Sequence, residues 1–215
     1  MHIVITGAGR GIGREMALQA LARGWQVTAI VRRAGAAPSD TAELVADMRD
    51  LDALAQICAG LRGVDVLVNN AGVIGPARQA TLDMDFAGFA ETLAVNTLAP
   101  LAMAQAVLPA MGDGGRIVTI SSQMAWMGYA KSDRIAYRAS KAAVNKVMQG
   151  LATDLRPRGI GVVVVDPGWV RTDMGGPDAE EDPAVVAAGI LDIAAQDGLA
   201  DTGRFLRWTG EERDF

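Results

Sequence analysis

Tyr137 and Lys141 stand four residues apart in the segment YRASKAAVN. On a helix that spacing puts both side chains on one face, one turn apart. A phenol beside an ammonium is an acid–base pair. Free tyrosine has a pKa of about 10, a poor match for proton transfer at neutral pH. A neighbouring positive charge favours the phenolate and is expected to lower that value by about 1–3 units. Taken alone, the same spacing also describes an amphipathic helix with one surface lysine.

A second chemical group lies near the N-terminus, in Thr6-Gly7-Ala8-Gly9-Arg10-Gly11-Ile12-Gly13. Glycines between a strand and a helix let the chain turn sharply and approach a pyrophosphate, at which the helix N-terminus points its N–H groups. The next apolar run ends at Arg32 and Arg33, and the nearest acid downstream is Asp40. In such sites an acid about 20 residues beyond the glycines binds a ribose 2′-hydroxyl, whereas arginine accommodates a 2′-phosphate. Arg32 and Arg33, with Arg10 inside the loop, therefore predict NADP(H) as cofactor, with NADH disfavoured. A solvated basic turn is the alternative.

The elements that must hold these groups follow from hydrophobic patterning. Apolar, β-branched runs predict strands at His2 to Thr6, Trp25 to Val31, Val64 to Asn69, Arg116 to Ser121, Ile160 to Val165 and Arg204 to Trp208, with a weaker one at Glu43 to Met48. Helical spacing predicts helices at Gly11 to Arg23, Asp50 to Gly60, Asp85 to Met111, the stretch after Arg134 as far as Arg156, and Pro183 to Ala195. Pro100 and Pro109 should bend or end the third of these. Strands alternating with helices give an α/β fold: a single doubly wound parallel sheet, Rossmann-like, of about seven strands with helices on both faces. Without a linker or repeat, residues 1–215 are expected to form one domain. Met174 to Asp182, rich in glycine and acids, reads as a mobile flap.

Bulk composition narrows the function classes. The net charge of −5 argues against a nucleic-acid partner. One histidine and one cysteine, His2 and Cys58, support neither a zinc site nor a disulfide framework, so no metal is expected. The N-terminus lacks a secretory pattern and no uninterrupted apolar run reaches 18 residues, which predicts a cytoplasmic protein without a membrane partner. A small-residue stripe of Ala139, Ala143 and Gly150, with Lys146 in its midst, is compatible with a homo-oligomer, either dimer or tetramer.

In their order along nearly the whole chain, these motifs resemble the short-chain dehydrogenase/reductase family. Thr6, Gly7, Gly11 and Gly13 match its glycine motif, and Asn69-Asn70-Ala71-Gly72 its NNAG motif. Asp47, followed by Met48, stands where the family contacts adenine. Asn96 matches its helix asparagine, Ser121-Ser122 its serine, and Tyr137 to Lys141 its YxxxK motif. Pro167-Gly168 and the following Val170 and Thr172 match its PG motif beside the nicotinamide carboxamide. The stretches PGWVRTDMGG, YRASKAAVN and FLRWTGEE are most similar to the carbonyl-reductase subgroup that includes the C-factor and sniffer proteins. Its serine-to-tyrosine interval is about two residues longer than in most of the family, which leaves Ser121 or Ser122 as the catalytic serine; the family's usage favours Ser122.

The resemblance implies hydride transfer from NADPH to a small or medium aldehyde or ketone. Tyr137 would protonate the oxygen and Ser122 would hydrogen-bond it. Lys141 would also hold the nicotinamide ribose, and Asn96 would anchor a water that refills the proton. Met124, Trp126 and Met127, on the loop after the serine, are expected either to wall an apolar substrate pocket or to pack. Two other readings stay open: an alcohol dehydrogenase running oxidatively, and a non-catalytic NADPH-binding redox sensor.

Overall fold

The computed structural model describes all 215 residues. Its centre is an eight-stranded sheet built from β1 (His2–Thr6), β2 (Gln26–Val31), β3 (Ala42–Val45), β4 (Val64–Asn69), β7 (Met111–Ile120), β8 (Gly161–Asp166), β9 (Phe205–Arg207) and β10 (Glu212–Arg213). The spatial order is β10-β9-β8-β7-β4-β1-β2-β3, and every pairing is parallel except β10 with β9. The unbroken apolar character of HIVIT and GVVVVD has a plain cause: both strands are buried along their whole length, with helices on either face.

The sheet has eight strands rather than about seven. The added one, β10, is a two-residue edge too short to carry a periodic signal. β3 is shorter than expected and ends at Val45, because after the Ala46 N–H bonds the Val31 carbonyl the chain turns through Asp47 to Asp50. β7 starts earlier, at Met111, which pairs with Val64; the glycine-rich GDGG then loops out before Arg116 meets Val66. A small antiparallel hairpin, β5 (Gln79–Ala80) and β6 (Asp83–Met84), follows the NNAG turn and was not predicted.

Two cores flank the sheet. On one face α1 (Gly11–Ala22) and α6 (Pro183–Ala194) pack Met16, Ala20, Val186 and Ile190. On the other, α2 (Leu51–Cys58), α4 (Ala99–Val107) and α5 (Ile135–Leu155) pack Leu54, Met103, Val144 and Met148. The helical stretch Phe86–Ala110 is long and apolar enough to cross a membrane by length and composition. Here Ala99, Met103, Ala104 and Val107 bury its inner side in the second core. It is not one regular helix. α3 (Phe86–Leu93) passes through a π-turn at Ala94–Leu98 into α4, and a 3₁₀ turn carrying Pro109 ends it. Pro100 has no N–H to give the Asn96 carbonyl four residues earlier, which is a local reason for the irregular turn there. The predicted stripe on α5 lies outward: Gly150 is exposed, and a side chain added to it would meet nothing within 4 Å.

Candidate active site

The candidate residues gather at the carboxyl ends of β1, β2, β4, β7 and β8, around the crevice where strand order reverses between β1 and β4. The loop from Gly7 to Gly13 opens there into α1. Its N-cap, Arg10, is extended, no side chain caps the helix, and no acid stands in the first turn. The free N–H groups of that turn therefore present an uncompensated positive end. Gly13 has to be glycine because a Cβ there would sit 2.4 Å from the Gly7 oxygen and 2.5 Å from Asn70 Nδ2. Gly9 lies beside Ala36, and Gly11 beside Thr172. Ile12 is half-buried and packs against the first core.

The NNAG turn is tied to this loop. Thr6 Oγ1 accepts the N–H groups of Asn70 and Ala71, both at 3.0 Å, and Asn70 Nδ2 donates to the Thr6 carbonyl at 2.9 Å. Arg32 and Arg33 stand exposed at the end of β2 with no carboxylate partner, whereas Arg10 faces Asp173 at 3.2 Å on the open surface. Asp47 is engaged by Arg49 through both oxygens, which holds its carboxyl at about 2. Met48 packs on the second core.

Tyr137 and Lys141 do share one face of α5 and are buried. Ser122, just past β7, lies beside the phenol and opposes the effect of its burial, while its Oγ accepts the Met124 N–H at 3.1 Å. Ser121 instead turns into the core and bonds Asn145 at 2.5 Å. Of the two serines, only Ser122 faces the tyrosine. Lys141 Nζ donates to the Ile120 carbonyl at 2.7 Å and lies 5.9 Å from the Tyr137 ring centre. Asn96 Nδ2 bonds the Val73 carbonyl and Ser140 Oγ, and its Oδ1 accepts the Val73 N–H. A Cβ on Gly72 would lie 3.3 Å from Asn96 Oδ1 and 3.7 Å from Lys141 Nζ, so these three residues meet in one small volume.

The expected lowering of the tyrosine pKa is not what the chain itself produces. Burial pushes the Tyr137 phenol up to about 12, against the opposing pull of Ser122. Burial likewise pushes Lys141 down to about 8. Each group loses hydration of its charged form, and the ammonium is spent on a backbone carbonyl rather than on the phenol.

Beyond β8, Pro167 and Gly168 turn the chain, with Gly168 at φ +75°. Val170 is buried and bridges to Glu181, and Thr172 lies over Gly11. The expected flap is pinned at both ends. Arg171 donates to the carbonyls of Ala179 and Glu180 and pairs with Asp182, Trp169 Nε1 donates to Gly175, and Ala179 is buried. Polar tethers do there what apolar residues do elsewhere. Trp126 stacks edge-on against Tyr129 at 4.9 Å, and both stand partly exposed with Met127, which is 81% exposed.

Sequence reading missed Gln79. Arg134, at the N-cap of α5, is left-handed (φ 51°) and offers no side-chain cap. Gln79 Oε1 takes the Tyr137 N–H at 3.2 Å instead, while its Nε2 holds the carbonyls of Ile74 and Pro76. A cavity of about 620 Å³ opens beside it, lined by Ile74, Pro76, Gln79, Asp133 and Arg134 among others. No local pattern marks a cap supplied from 58 residues away.

The profile of the short chain dehydrogenase family matches residues 1–183. The C-signal protein of Myxococcus xanthus is 42% identical over 162 residues, covering 73% of this chain and 94% of that one. Among solved structures, the carbonyl reductase Sniffer of D. melanogaster superposes with a TM-score of 0.89 at 28% identity, covering 100% of this chain and 99% of that one. The NADPH-bound carbonyl reductase from chicken fatty liver superposes with a TM-score of 0.89 at 25% identity, covering 100% and 98%.

Proposed function

The chain belongs to the short-chain dehydrogenase family, and from that premise we propose that it is a cytoplasmic NADPH-dependent reductase of small or medium aldehydes and ketones, with Tyr137 as proton donor. The observation that carries this reading is the placement of the buried Tyr137 phenol beside Ser122 and Lys141, at the strand ends where the glycine loop and the PG turn open. A protonated phenol in that place can give its proton to a carbonyl oxygen as hydride arrives at the carbon.

The residues present fit a dinucleotide phosphate. The uncapped end of α1, the close turn at Gly13 and the unpaired Arg32 and Arg33 offer N–H groups, room and positive charge where a polyanion would lie. Gly7, Gly9, Arg10, Gly11, Ile12 and Gly13 would hold the pyrophosphate side. Asp47, Met48, Asn70, Ala71 and Gly72 would hold the adenosine side, and Pro167, Gly168, Val170, Thr172, Tyr137 and Lys141 the nicotinamide side. When bound, the reduced nicotinamide supplies a hydride to the carbonyl carbon. Tyr137 gives its proton to the carbonyl oxygen, and Ser122 hydrogen-bonds that oxygen as charge develops. Lys141 and Asn96, which meet at Gly72, stand behind the phenol as the route by which its proton is replaced. Exposed Trp126 and Met127 favour an apolar substrate.

The test is NADPH oxidation over a panel of aldehydes and ketones with wild-type protein and Tyr137→Phe. The variant keeps the ring and its packing, so folding and NADPH binding should persist. Turnover should fall by at least about 10²-fold. A variant reducing carbonyls near the wild-type rate would sink the mechanism. Tight NADPH binding by wild-type protein with no turnover would favour a nucleotide sensor.

A further inference from the structure

Asp166 is the last residue of β8, directly before Pro167-Gly168, and its carboxylate has no exposure to solvent. One oxygen, Oδ1, accepts the N–H of Gln123 and the N–H of Gly168, both at 3.0 Å. Gln123 follows Ser122, and Gly168 begins the turn that leads to Val170 and Thr172. A single atom therefore fixes the spacing between the serine turn and the PG turn. The other oxygen, Oδ2, takes Arg213 at 2.5 Å. Arg213 belongs to β10, the two-residue antiparallel edge strand, where it lies opposite Phe205. The Trp208 N–H adds a bond to the Asp166 carbonyl at 2.9 Å.

A carboxylate in a dry interior is destabilising unless a charge and hydrogen bonds compensate it. The two N–H groups supply part of that, and Arg213 is the only side chain paired with it. Loss of Arg213 leaves the buried carboxylate without its counter-charge, and any rearrangement that brings water to it competes with the two N–H bonds.

We propose that Asp166 and Arg213 are positioning residues for the reaction: the final strand of the chain, through one buried carboxylate, holds the Ser122 turn and the Pro167-Gly168 turn at working distance. This rests on the reductase reading given above. Neither residue touches the reacting atoms: both act through Ser122 and the PG turn, and the Asp166 charge also bears on the Tyr137 phenol, whose pKa it raises.

The experiment compares wild-type protein with Arg213→Met, Arg213→Lys, Asp166→Asn/Arg213→Met and Glu212→Gln, following NADPH-dependent turnover and amide hydrogen exchange at Gln123 and Gly168. Displacement of a reacting group by about 1 Å costs about 10²-fold, so Arg213→Met should lose kcat on that scale, with exchange at both amides accelerated. Arg213→Lys restores the counter-charge and should recover most of kcat. The double variant buries no unpaired charge and keeps an oxygen for the two N–H bonds, so it folds even if Arg213→Met does not; lacking the Arg213 tie to β10, it should still lose about tenfold in kcat with both amides exchanging faster. Glu212→Gln, next to Arg213 on β10, breaks only the exposed pair with Arg204 and should leave kcat and both amides unchanged. The proposal is overturned if the double variant keeps wild-type kcat with both amides protected, or if Glu212→Gln loses as much as Arg213→Met. Wild-type turnover and its loss in Tyr137→Phe test the reductase reading separately, and the amide exchange needs no turnover at all.

Discussion

Lys141→Met should make the protein more stable while removing its activity. Lys141 is 4% exposed, and burial pushes its ammonium from an ordinary 10.5 down to about 8. At about 1.4 kcal/mol per unit of pKa, the folded chain carries about 3 kcal/mol of cost for holding that proton at pH 7. Methionine has similar length and no charge. It forfeits a charge-assisted hydrogen bond to the Ile120 carbonyl, about 1.5–3 kcal/mol, so the net gain is at most about 1.5 kcal/mol. For a chain of this size that raises Tm by at most about 3–6 °C. The pH dependence has a definite sign. Below pH 8 folded and unfolded chains both hold the proton, and the cost is fully present. Between pH 8 and 10.5 the unfolded chain binds a proton that the folded chain has released, so wild-type stability rises with pH. Tyr137, displaced from 10 to about 12, acts in the opposite sense only above pH 10, where the folded chain retains the proton longer. Thermal unfolding of both proteins at pH 7 and pH 9.5 separates the effects: the variant's advantage should shrink as pH rises. A variant less stable than wild type at pH 7, or an advantage that does not change with pH, would refute the claim that the lysine is held in the interior at a cost.

Arg32→Asp should shift preference from NADPH towards NADH by about one to two powers of ten, since a charge-assisted contact contributes about 1.5–3 kcal/mol. Titration of wild type and variant with each cofactor at low salt checks it, and equal wild-type affinities would mean that the basic turn is merely solvated. Gly13→Ala forces a Cβ to within 2.4 Å of the Gly7 oxygen, so overpacking should cost about 1–3 kcal/mol and weaken NADPH binding at least about tenfold. Unchanged Tm and affinity would show that α1 does not approach the loop so closely.

Much of this protein is local in character and could be read without coordinates. The strand VDVLVN falls where its apolar run begins and ends, because burial on both faces of a parallel sheet demands that composition. The glycine loop before α1 and the helix carrying Tyr137 and Lys141 are likewise set by short-range geometry. The family order of motifs adds the candidate roles of Asn96 and Ser122. Shape was less legible at the margins. β10 is too short to show a period, and β3 ends early because Asp47 and Asp50 close a turn just beyond it.

What tertiary structure alone decided are pairings between residues distant in sequence and the charge states that burial imposes. Ser121 and Ser122 are chemically identical neighbours, and only the position of Asn145 and Tyr137 around the end of β7 separates their tasks. Gln79 caps the helix carrying Tyr137 and Lys141 from another loop because Arg134 offers no cap, a substitution invisible to any rule that looks for a capping residue next door. The ties from Arg213 to Asp166 and from Asp166 to Gln123 and Gly168 exist because β8, β9 and β10 meet at one edge of the sheet. The direction of the Tyr137 pKa follows the same logic. Spacing places an ammonium near the phenol, but desolvation outweighs it here, and the extent of burial is a property of the packed chain rather than of the motif.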